Sequence, residues 1–277
     1  MRVVRGKMPG SVARVLRPPA CPVYGTLFLP EAVQPTAAVL LIGGSGGSEP
    51  TYVGRALARK GIAALSVAYF ARPALPTQLR SIPLEYFFSA IEVLRAELGT
   101  PEPPVAVLGM SRGSEAAMLV AIHLGGLVRG VIATVPGNVI AGSWPPGGPA
   151  WLLGGKPLPY VEHSGPECED PDAFIPVELI QAPVLLVAAG ADRVWSSAAM
   201  ARALSHRMIE HGDLHGHLVL EYPDAGHSLG YLVPRLPAGL LPDEISDEPH
   251  DKAARADAWP KAVGFIVGLR PKSPAED

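Results

Sequence analysis

Residues 105–113 read Val-Ala-Val-Leu-Gly-Met-Ser-Arg-Gly, an apolar run that continues into the pattern Gly-x-Ser-x-Gly. Such a run is typical of a strand covered on both faces of a sheet. Gly109 and Gly113 leave room for a sharp turn into a predicted helix at residues 115–124, and this turn would lift the Ser111 hydroxyl out of the sheet. A serine hydroxyl is a weak nucleophile by itself, so catalysis here requires a base and an acid from elsewhere in the chain. The alternative is a serine that only caps the helix.

Apolar runs alternate with helical patterns on both sides of this stretch. Strands are predicted at residues 23–29, 37–42, 62–69, 128–135, 183–189 and 218–222, and helices at 49–60, 83–98, 200–208 and 253–269. Strands that alternate with helices favour an α/β architecture, with a mainly parallel, doubly wound sheet and helices on both faces.

The domain organisation follows from the same pattern. Residues 23–270 are predicted to form a single domain, preceded by a loosely organised lead-in at 1–22 and followed by a tail at 271–277. Within the domain, residues 136–180 are rich in proline and glycine and show no regular hydrophobic periodicity. We therefore expect a short irregular insertion that forms one wall of an active-site pocket. A surface loop without substrate contact is the alternative for this segment.

Composition excludes several classes of function. The chain has 277 residues, a net charge of −3 and two cysteines, Cys21 and Cys168. Charges of both signs are dispersed, which argues against a nucleic-acid or membrane partner. The two cysteines are far apart, so neither a disulfide framework nor a zinc site is expected and a cytoplasmic location is favoured. No signal peptide or membrane span is predicted. A homo-oligomer is compatible with the sequence.

Two further residues complete a candidate relay with Ser111. Asp192 follows the strand at 183–189, and His227 lies in a turn after the strand at 218–222. The order Ser111, Asp192, His227 is the one expected of an α/β-hydrolase fold. His227 would take the serine proton and later return it to the leaving group, while Asp192 would orient the imidazole.

Other acids are weaker candidates for this relay. Asp224 precedes His227 by three residues, a spacing more typical of a turn cap. Asp213 and Glu115 are weaker still.

A glycine cluster at residues 43–47, Gly-Gly-Ser-Gly-Gly, ends the second predicted strand. It suits an oxyanion-hole loop in which an N–H of Gly44 or Ser45 acts together with the N–H of Arg112. A phosphate cradle is disfavoured because the Lys-Ser/Thr ending is missing, and a plain flexible loop remains the alternative. The Arg112 side chain could hold an anionic part of a substrate, or simply reach solvent or a surface acid.

Three histidines, at 211, 215 and 217, form a local cluster in a polar stretch between a helix and a strand. A solvated loop is favoured over a metal site there, because no acidic partner stands at helical spacing. Neither a metal nor a separate cofactor is expected.

Several stretches resemble the catalytic domain shared by acyl-CoA thioesterases and bile acid-CoA:amino acid N-acyltransferases. They cover roughly residues 24–269 and comprise Gly-Thr-Leu-Phe-Leu-Pro at 25–30, the glycine cluster at 43–47, Ala-Tyr-Phe at 68–70, Ile-Pro-Leu-Glu-Tyr-Phe at 82–87, the serine motif at 109–113, Ile-Pro-Val-Glu at 175–178, Ala-Asp-Arg-Val-Trp at 191–195 and Ala-Gly-His at 225–227. The stretches Leu-Glu-Tyr-Phe and Asp-Arg-Val-Trp are more specific to this group than the serine motif.

The resemblance implies acyl transfer from a thioester through an acyl-enzyme on Ser111, with Asp192 and His227 matching the family's acid and base. Coenzyme A would then be part of the substrate or product. The chain departs from the family in two ways. Full-length members carry an immunoglobulin-like domain ahead of this region, whereas here the match begins at Tyr24. The members that conjugate amino acids use cysteine as the nucleophile, whereas this chain has serine. Serine favours water as the acyl acceptor, with an amine or alcohol left open. The alternatives are a carboxylesterase for small oxygen esters and a non-catalytic binding protein of the same fold.

Overall fold

The computed structural model describes residues 10–31, 33–98, 104–162, 170–241 and 246–269. The start of the predicted lead-in at 1–9, the predicted tail at 271–277 and Cys168 lie outside the described residues.

The strands and helices alternate as the sequence predicts. The strands are β1 Ser11–Leu16, β2 Tyr24–Pro30, β3 Ala37–Ile42, β4 Ile62–Ala68, β5 Ile82–Pro83, β6 Val105–Met110, β7 Gly130–Thr134, β8 Trp151–Leu153, β9 Lys156–Pro157, β10 Val184–Ala189 and β11 His217–Tyr222. The helices are α1 Thr51–Ala58, α2 Glu85–Leu98, α3 Arg112–Leu124, α4 Ser197–Glu210 and α5 Pro249–Gly268.

The main sheet has the strand order β1-β2-β4-β3-β6-β7-β10-β11. β2 pairs antiparallel with β1 and β4, and all other neighbours are parallel. Every residue of β3, β4 and β10 is buried, which explains their continuous apolar sequences. The chain order reverses between β3 and β6, so the crevice at their carboxyl ends is the expected ligand site of an open α/β sheet.

Two apolar layers cover the sheet, one on each face. One layer contains the buried residues of α2, α3 and α4, among them Leu94, Met118 and Leu204. The other contains those of α1 and α5, such as Leu57 and Ile266. The predicted fold class, a mainly parallel sheet with helices on both faces, is confirmed. Among the described helices, none is both long and apolar enough to cross a membrane.

The structure differs from the sequence-based expectation in two segments. Residues 11–16 of the predicted lead-in form β1, an edge strand that pairs along its whole length with β2. The insertion at 136–180 is less irregular than expected, because β8 and β9 join β5 in a small second sheet. Burial of Trp151, which is 1% exposed, anchors this small sheet to the body of the protein.

Candidate active site

Ser111 occupies a tight turn between β6 and α3. Its backbone has φ 53° and ψ −122°, a conformation that L-residues rarely adopt. The flanking glycines are required by close contact: a Cβ on Gly109 would lie 2.0 Å from the carbonyl oxygen of Gly113, and one on Gly113 would lie 2.4 Å from that of Gly43. The turn predicted from Gly-x-Ser-x-Gly is therefore present. It places the Ser111 side chain at the crevice between the carboxyl ends of β3 and β6.

The structure brings the three predicted relay residues together. His227 Nε2 lies 3.1 Å from Ser111 Oγ, and His227 Nδ1 lies 2.8 Å from Asp192 Oδ2. With Nδ1–H donated to the carboxylate, Nε2 is free to accept the serine proton. Ser111 and His227 are 6% and 7% exposed, so the relay is shielded from bulk water while remaining reachable.

Asp192 is held by several donors besides His227. The backbone N–H groups of Val194 and Trp195 donate to its Oδ1 at 2.9 and 3.3 Å, and the Ser197 hydroxyl donates to its Oδ2 at 2.8 Å. These bonds fix the orientation of the carboxylate toward the imidazole. Ser197, at the start of α4, was not predicted from sequence, and no motif marks it.

Trp195 joins the loop that carries Asp192 to the neighbouring strand. Its indole N–H donates to the carbonyl oxygen of Val135 at 3.1 Å, just past β7. Its ring packs edge-on against His227, with centroids 6.0 Å apart and an interplanar angle of 75°. Trp195 therefore limits the rotation of the imidazole as well as the movement of the acid loop.

A second buried carboxylate, Asp251 on α5, holds the loop around His227. Its Oδ1 accepts the backbone N–H of Gly226 at 2.5 Å and its Oδ2 accepts the Ser228 hydroxyl at 2.8 Å. Arg255, one turn further along α5, donates from Nη1 to the Ser228 hydroxyl oxygen at 2.8 Å. The residues on both sides of His227 are thus fixed to α5, an arrangement that no sequence motif indicated.

The glycine-rich loop after β3 reaches the nucleophile. A Cβ on Gly44 would lie 3.3 Å from Ser111 Cβ, so the loop backbone passes close to the serine side chain. Gly44 is buried, whereas Ser45 is exposed. Arg112 begins α3, where the first backbone N–H groups of a helix have no partner within the helix. The predicted oxyanion-hole residues Gly44, Ser45 and Arg112 therefore lie at or beside the Ser111 turn.

The sequence left the Arg112 side chain either to an anionic part of a substrate or to solvent or a surface acid, and the structure places it against a buried acid. Its guanidinium forms a buried ion pair with Glu115, with Nε 2.8 Å from Oε1, and donates to the carbonyl oxygen of Ala141 at 2.7 Å. The Trp151 indole N–H donates to Glu115 at 3.0 Å. Because the pair is buried against the insertion, it holds that segment on α3, and the guanidinium donors are directed at Glu115 and Ala141. The spacing of Arg112 and Glu115 is the signal that could have indicated this pair.

The structure also places the other acids and the histidines that the sequence offered as candidates. Asp224 is exposed, and Asp213 lies 2.9 Å from His217. His217 also lies 2.7 Å from the Ser205 hydroxyl, and His211 contacts the Arg207 carbonyl oxygen. Within the described part of the chain, no group of three or more His, Cys, Asp or Glu side chains is placed to hold a metal ion.

Comparison with known proteins places these features in context. Residues 159–239 match the family model described as BAAT / Acyl-CoA thioester hydrolase C terminal. The chain is 31% identical over 264 residues to acyl-coenzyme A thioesterase 2, mitochondrial, of Rattus norvegicus, covering 88% of this chain and 58% of that protein. Against acyl-coenzyme A thioesterase 1 of Homo sapiens it is 30% identical, covering 88% of this chain and 62% of that protein. The chain thus spans less than two thirds of these relatives, and the family resemblance predicted from sequence is confirmed.

Solved structures support the fold. A putative dienelactone hydrolase from Klebsiella pneumoniae subsp. pneumoniae MGH 78578 has a TM-score of 0.60 at 14% identity, covering 89% of this chain and 93% of that one. An esterase from Pyrobaculum calidifontis has a TM-score of 0.59 at 16% identity, covering 94% of this chain and 84% of that one. At these identities the likeness concerns the fold alone, which is that of an α/β-hydrolase.

Proposed function

Since this chain is an α/β-hydrolase-fold relative of the acyl-CoA thioesterases, we propose that it hydrolyses acyl-CoA-like thioesters through an acyl-enzyme on Ser111. The observation that carries the proposal is the pair of hydrogen bonds that links Ser111, His227 and Asp192 at 3.1 and 2.8 Å. A serine hydroxyl needs such a base to become a nucleophile at neutral pH, and a thioester carbonyl is a suitable electrophile for it.

In the acylation step, Ser111 Oγ attacks the thioester carbonyl carbon while its proton moves to His227 Nε2. The negative charge that develops on the carbonyl oxygen is stabilised by backbone N–H groups from Arg112 and the glycine-rich loop. Collapse of the tetrahedral intermediate breaks the carbon–sulfur bond, and the imidazolium returns the proton to sulfur. Free coenzyme A thiol leaves, and the acyl group stays on Ser111 as an ester.

In the deacylation step, water takes the place of the thiol. His227 removes a proton from the water as its oxygen attacks the ester carbonyl, and then returns that proton to Ser111 Oγ. A carboxylic acid leaves and the enzyme is restored. Serine rather than cysteine as nucleophile supports water as the acceptor. Coenzyme A enters only as part of the substrate, and a cytoplasmic location remains a prediction from cysteine usage.

The proposal is tested by thiol release from a panel of acyl-CoAs of different chain lengths. We expect the wild type to release thiol, Ser111→Ala to lose activity by at least about 10³-fold, and Ser114→Ala to retain it. Ser114 is a suitable control because it is a fully buried serine one turn away whose hydroxyl has no hydrogen-bond partner among the residues that the structure describes.

Two outcomes would contradict the proposal and favour an alternative. Fast cleavage of small oxygen esters without thiol release would indicate a carboxylesterase with the same relay. Failure of a fluorophosphonate probe to label Ser111, together with no turnover of either substrate class, would indicate a binding protein of this fold.

A further inference from the structure

The Tyr69 hydroxyl lies against the backbone of the glycine-rich loop. Tyr69 follows β4 and is 1% exposed. Its hydroxyl is 2.8 Å from the carbonyl oxygen of Gly43 and 3.2 Å from that of Gly44. Burial raises the pKa of Tyr69 above its ordinary value, so the group stays a neutral hydroxyl, and its single proton is shared between the nearer carbonyl of Gly43 and that of Gly44.

The tyrosine ring is held in place by other aromatic side chains. The ring centroids of Phe70, Phe87 and Trp151 lie 5.0, 5.2 and 5.9 Å from that of Tyr69. Because large rings packed on several sides have few rotamers available, the hydroxyl is presented to the loop from a fixed position.

The direction of the two carbonyls determines the direction of two N–H groups. In a trans peptide the C=O of one residue and the N–H of the next point to opposite sides. The carbonyls of Gly43 and Gly44 both point at Tyr69, so the N–H groups of Gly44 and Ser45 point away from it. This backbone also passes close to Ser111, because a Cβ on Gly44 would lie 3.3 Å from Ser111 Cβ.

We propose that Tyr69 is a positioning residue for the oxyanion hole, which keeps the Gly43–Gly44 and Gly44–Ser45 peptides turned so that their N–H groups serve the carbonyl oxygen of a substrate bound at Ser111. A glycine-rich backbone has several accessible conformations. The Gly44 carbonyl also accepts the Gly47 N–H at 3.3 Å, so loss of the Tyr69 hydroxyl removes the 2.8 Å bond to the Gly43 carbonyl and weakens the hold on the Gly44–Ser45 peptide. The inference rests on the proposed serine-dependent function, and it adds a residue that touches neither the substrate nor the relay.

Tyr69→Phe removes the hydroxyl and preserves the ring packing, so the variant is expected to fold. Tyr86→Phe is a matched control. The Tyr86 hydroxyl also donates to a backbone carbonyl, that of Ala68 at 2.6 Å, and accepts the Tyr24 N–H at 2.8 Å, but its partners lie on β2 and β4. Both variants lose a tyrosine hydroxyl bonded to backbone, and only one of them loses a contact with the glycine-rich loop.

The experiment measures two rates for the wild type and both variants: labelling of Ser111 by a fluorophosphonate, and turnover of an acyl-CoA. Loss of one oxyanion-hole donor costs about 10²–10³ in kcat, so misorientation of the loop in Tyr69→Phe should slow labelling and lower kcat by about tenfold or more, with KM within about twofold. Tyr86→Phe should stay within about twofold of the wild type in both measurements.

Wild-type rates in Tyr69→Phe, an equal loss in both variants, or a change confined to KM would overturn the role of Tyr69. Labelling needs no thioester, so it distinguishes the two proposals. If the wild type is labelled but releases no thiol from acyl-CoAs, the proposed thioesterase function is wrong, while the labelling rates of the two variants still decide the role of Tyr69.

Discussion

At the scale of single residues, the site depends on side chains whose positions are fixed by neighbouring backbone. Ser111 holds a positive φ of 53°, a conformation that costs on the order of 1–3 kcal/mol for a residue other than glycine. Asp192 has a fully buried carboxylate that accepts N–H groups from its own turn. The strain at Ser111 is offset by the surrounding fold, and its result is a serine directed at His227.

Asp192→Asn tests the role of the acid. The amide retains the shape of the carboxylate but cannot stabilise an imidazolium, and its NH₂ group disfavours the tautomer that the relay needs. We expect kcat for thioester hydrolysis to fall by about 10⁴-fold with little change in the fold.

Asp224→Asn is the control for this measurement, because Asp224 is exposed three residues before His227. It should retain wild-type kcat. An equal loss in the two variants, or full activity in Asp192→Asn, would show that the acid has been assigned to the wrong residue.

The sequence indicated the relay because each member follows a strand in a recognisable local pattern. It left Arg112 between a substrate anion and solvent or a surface acid, and did not indicate the buried partner Glu115 one helical turn away. Tyr69 and Asp251 were missed, because each acts through contacts that are distant in sequence. No pattern within one segment reports a hydroxyl from the residue after β4 bonded to the loop after β3, or a carboxylate from α5 bonded on both sides of His227.

At the scale of secondary-structure elements, α5 is more than a cover for one face of the sheet. Asp251 in its first turn accepts hydrogen bonds from Gly226 and Ser228, and Arg255 adds a bond to the same serine. The helix therefore fixes the position and orientation of the loop that carries His227.

Asp251→Asn tests this connection. The asparagine has one acceptor oxygen where the aspartate has two, so one of the two loop contacts must be lost. Because a displacement of about 1 Å at a reacting group can cost about 10²-fold in rate, we expect kcat to fall at least about tenfold, with KM little changed.

Asp257→Asn on the same helix is the matched control, since its exposed carboxylate bonds Tyr222 and Lys261 instead of the His227 loop. Steady-state kinetics and thermal unfolding of both variants are the measurements. Equal kcat values for Asp251→Asn and wild type would refute the connection, as would an equal loss in Asp257→Asn.

A bidentate ion pair between Glu178 and Arg207 joins the end of the insertion to α4, and both of its N–O distances are 2.5 Å. Burial is the largest single influence and would raise the pKa of the Glu178 carboxyl, but the Arg207 hydrogen bonds and charge, a backbone hydrogen bond and the His211 charge together outweigh it, and the pKa is lowered. A lowered pKa in the folded state stabilises the protein above the pKa of the unfolded chain, and that contribution is lost as pH falls through the folded value.

Glu178→Gln should therefore lower Tm at pH 7 by about 2 °C, as expected for about 0.5–1 kcal/mol in a chain of this size. The difference from wild type should disappear once the pH is below the lowered pKa of Glu178. Thermal unfolding of both proteins across this range is the measurement, and a difference that persists or grows at low pH would contradict the pairing.

At the scale of the whole molecule, the reversal of strand order between β3 and β6 explains why one edge holds every candidate site residue. The oxyanion loop follows β3, the nucleophile follows β6, the acid follows β10 and the base follows β11. All four strands are parallel, so their carboxyl ends share that edge.

This architecture was predictable from sequence because buried parallel strands give continuous apolar runs. The edge strand β1 was missed, since its Ser-Val-Ala-Arg-Val-Leu sequence is short and carries an arginine. The small sheet formed by β5, β8 and β9 was missed because strands of two or three residues are too short to show a period.

The central claim is that acyl transfer passes through the hydroxyl of Ser111, and mass spectrometry of the protein quenched during turnover of an acyl-CoA tests it most directly. We predict a covalent adduct with the mass of the acyl group, mapped to the peptide that contains Ser111 and missing from Ser111→Ala. An acyl adduct on a different residue, or one that forms equally in Ser111→Ala, would contradict the claim.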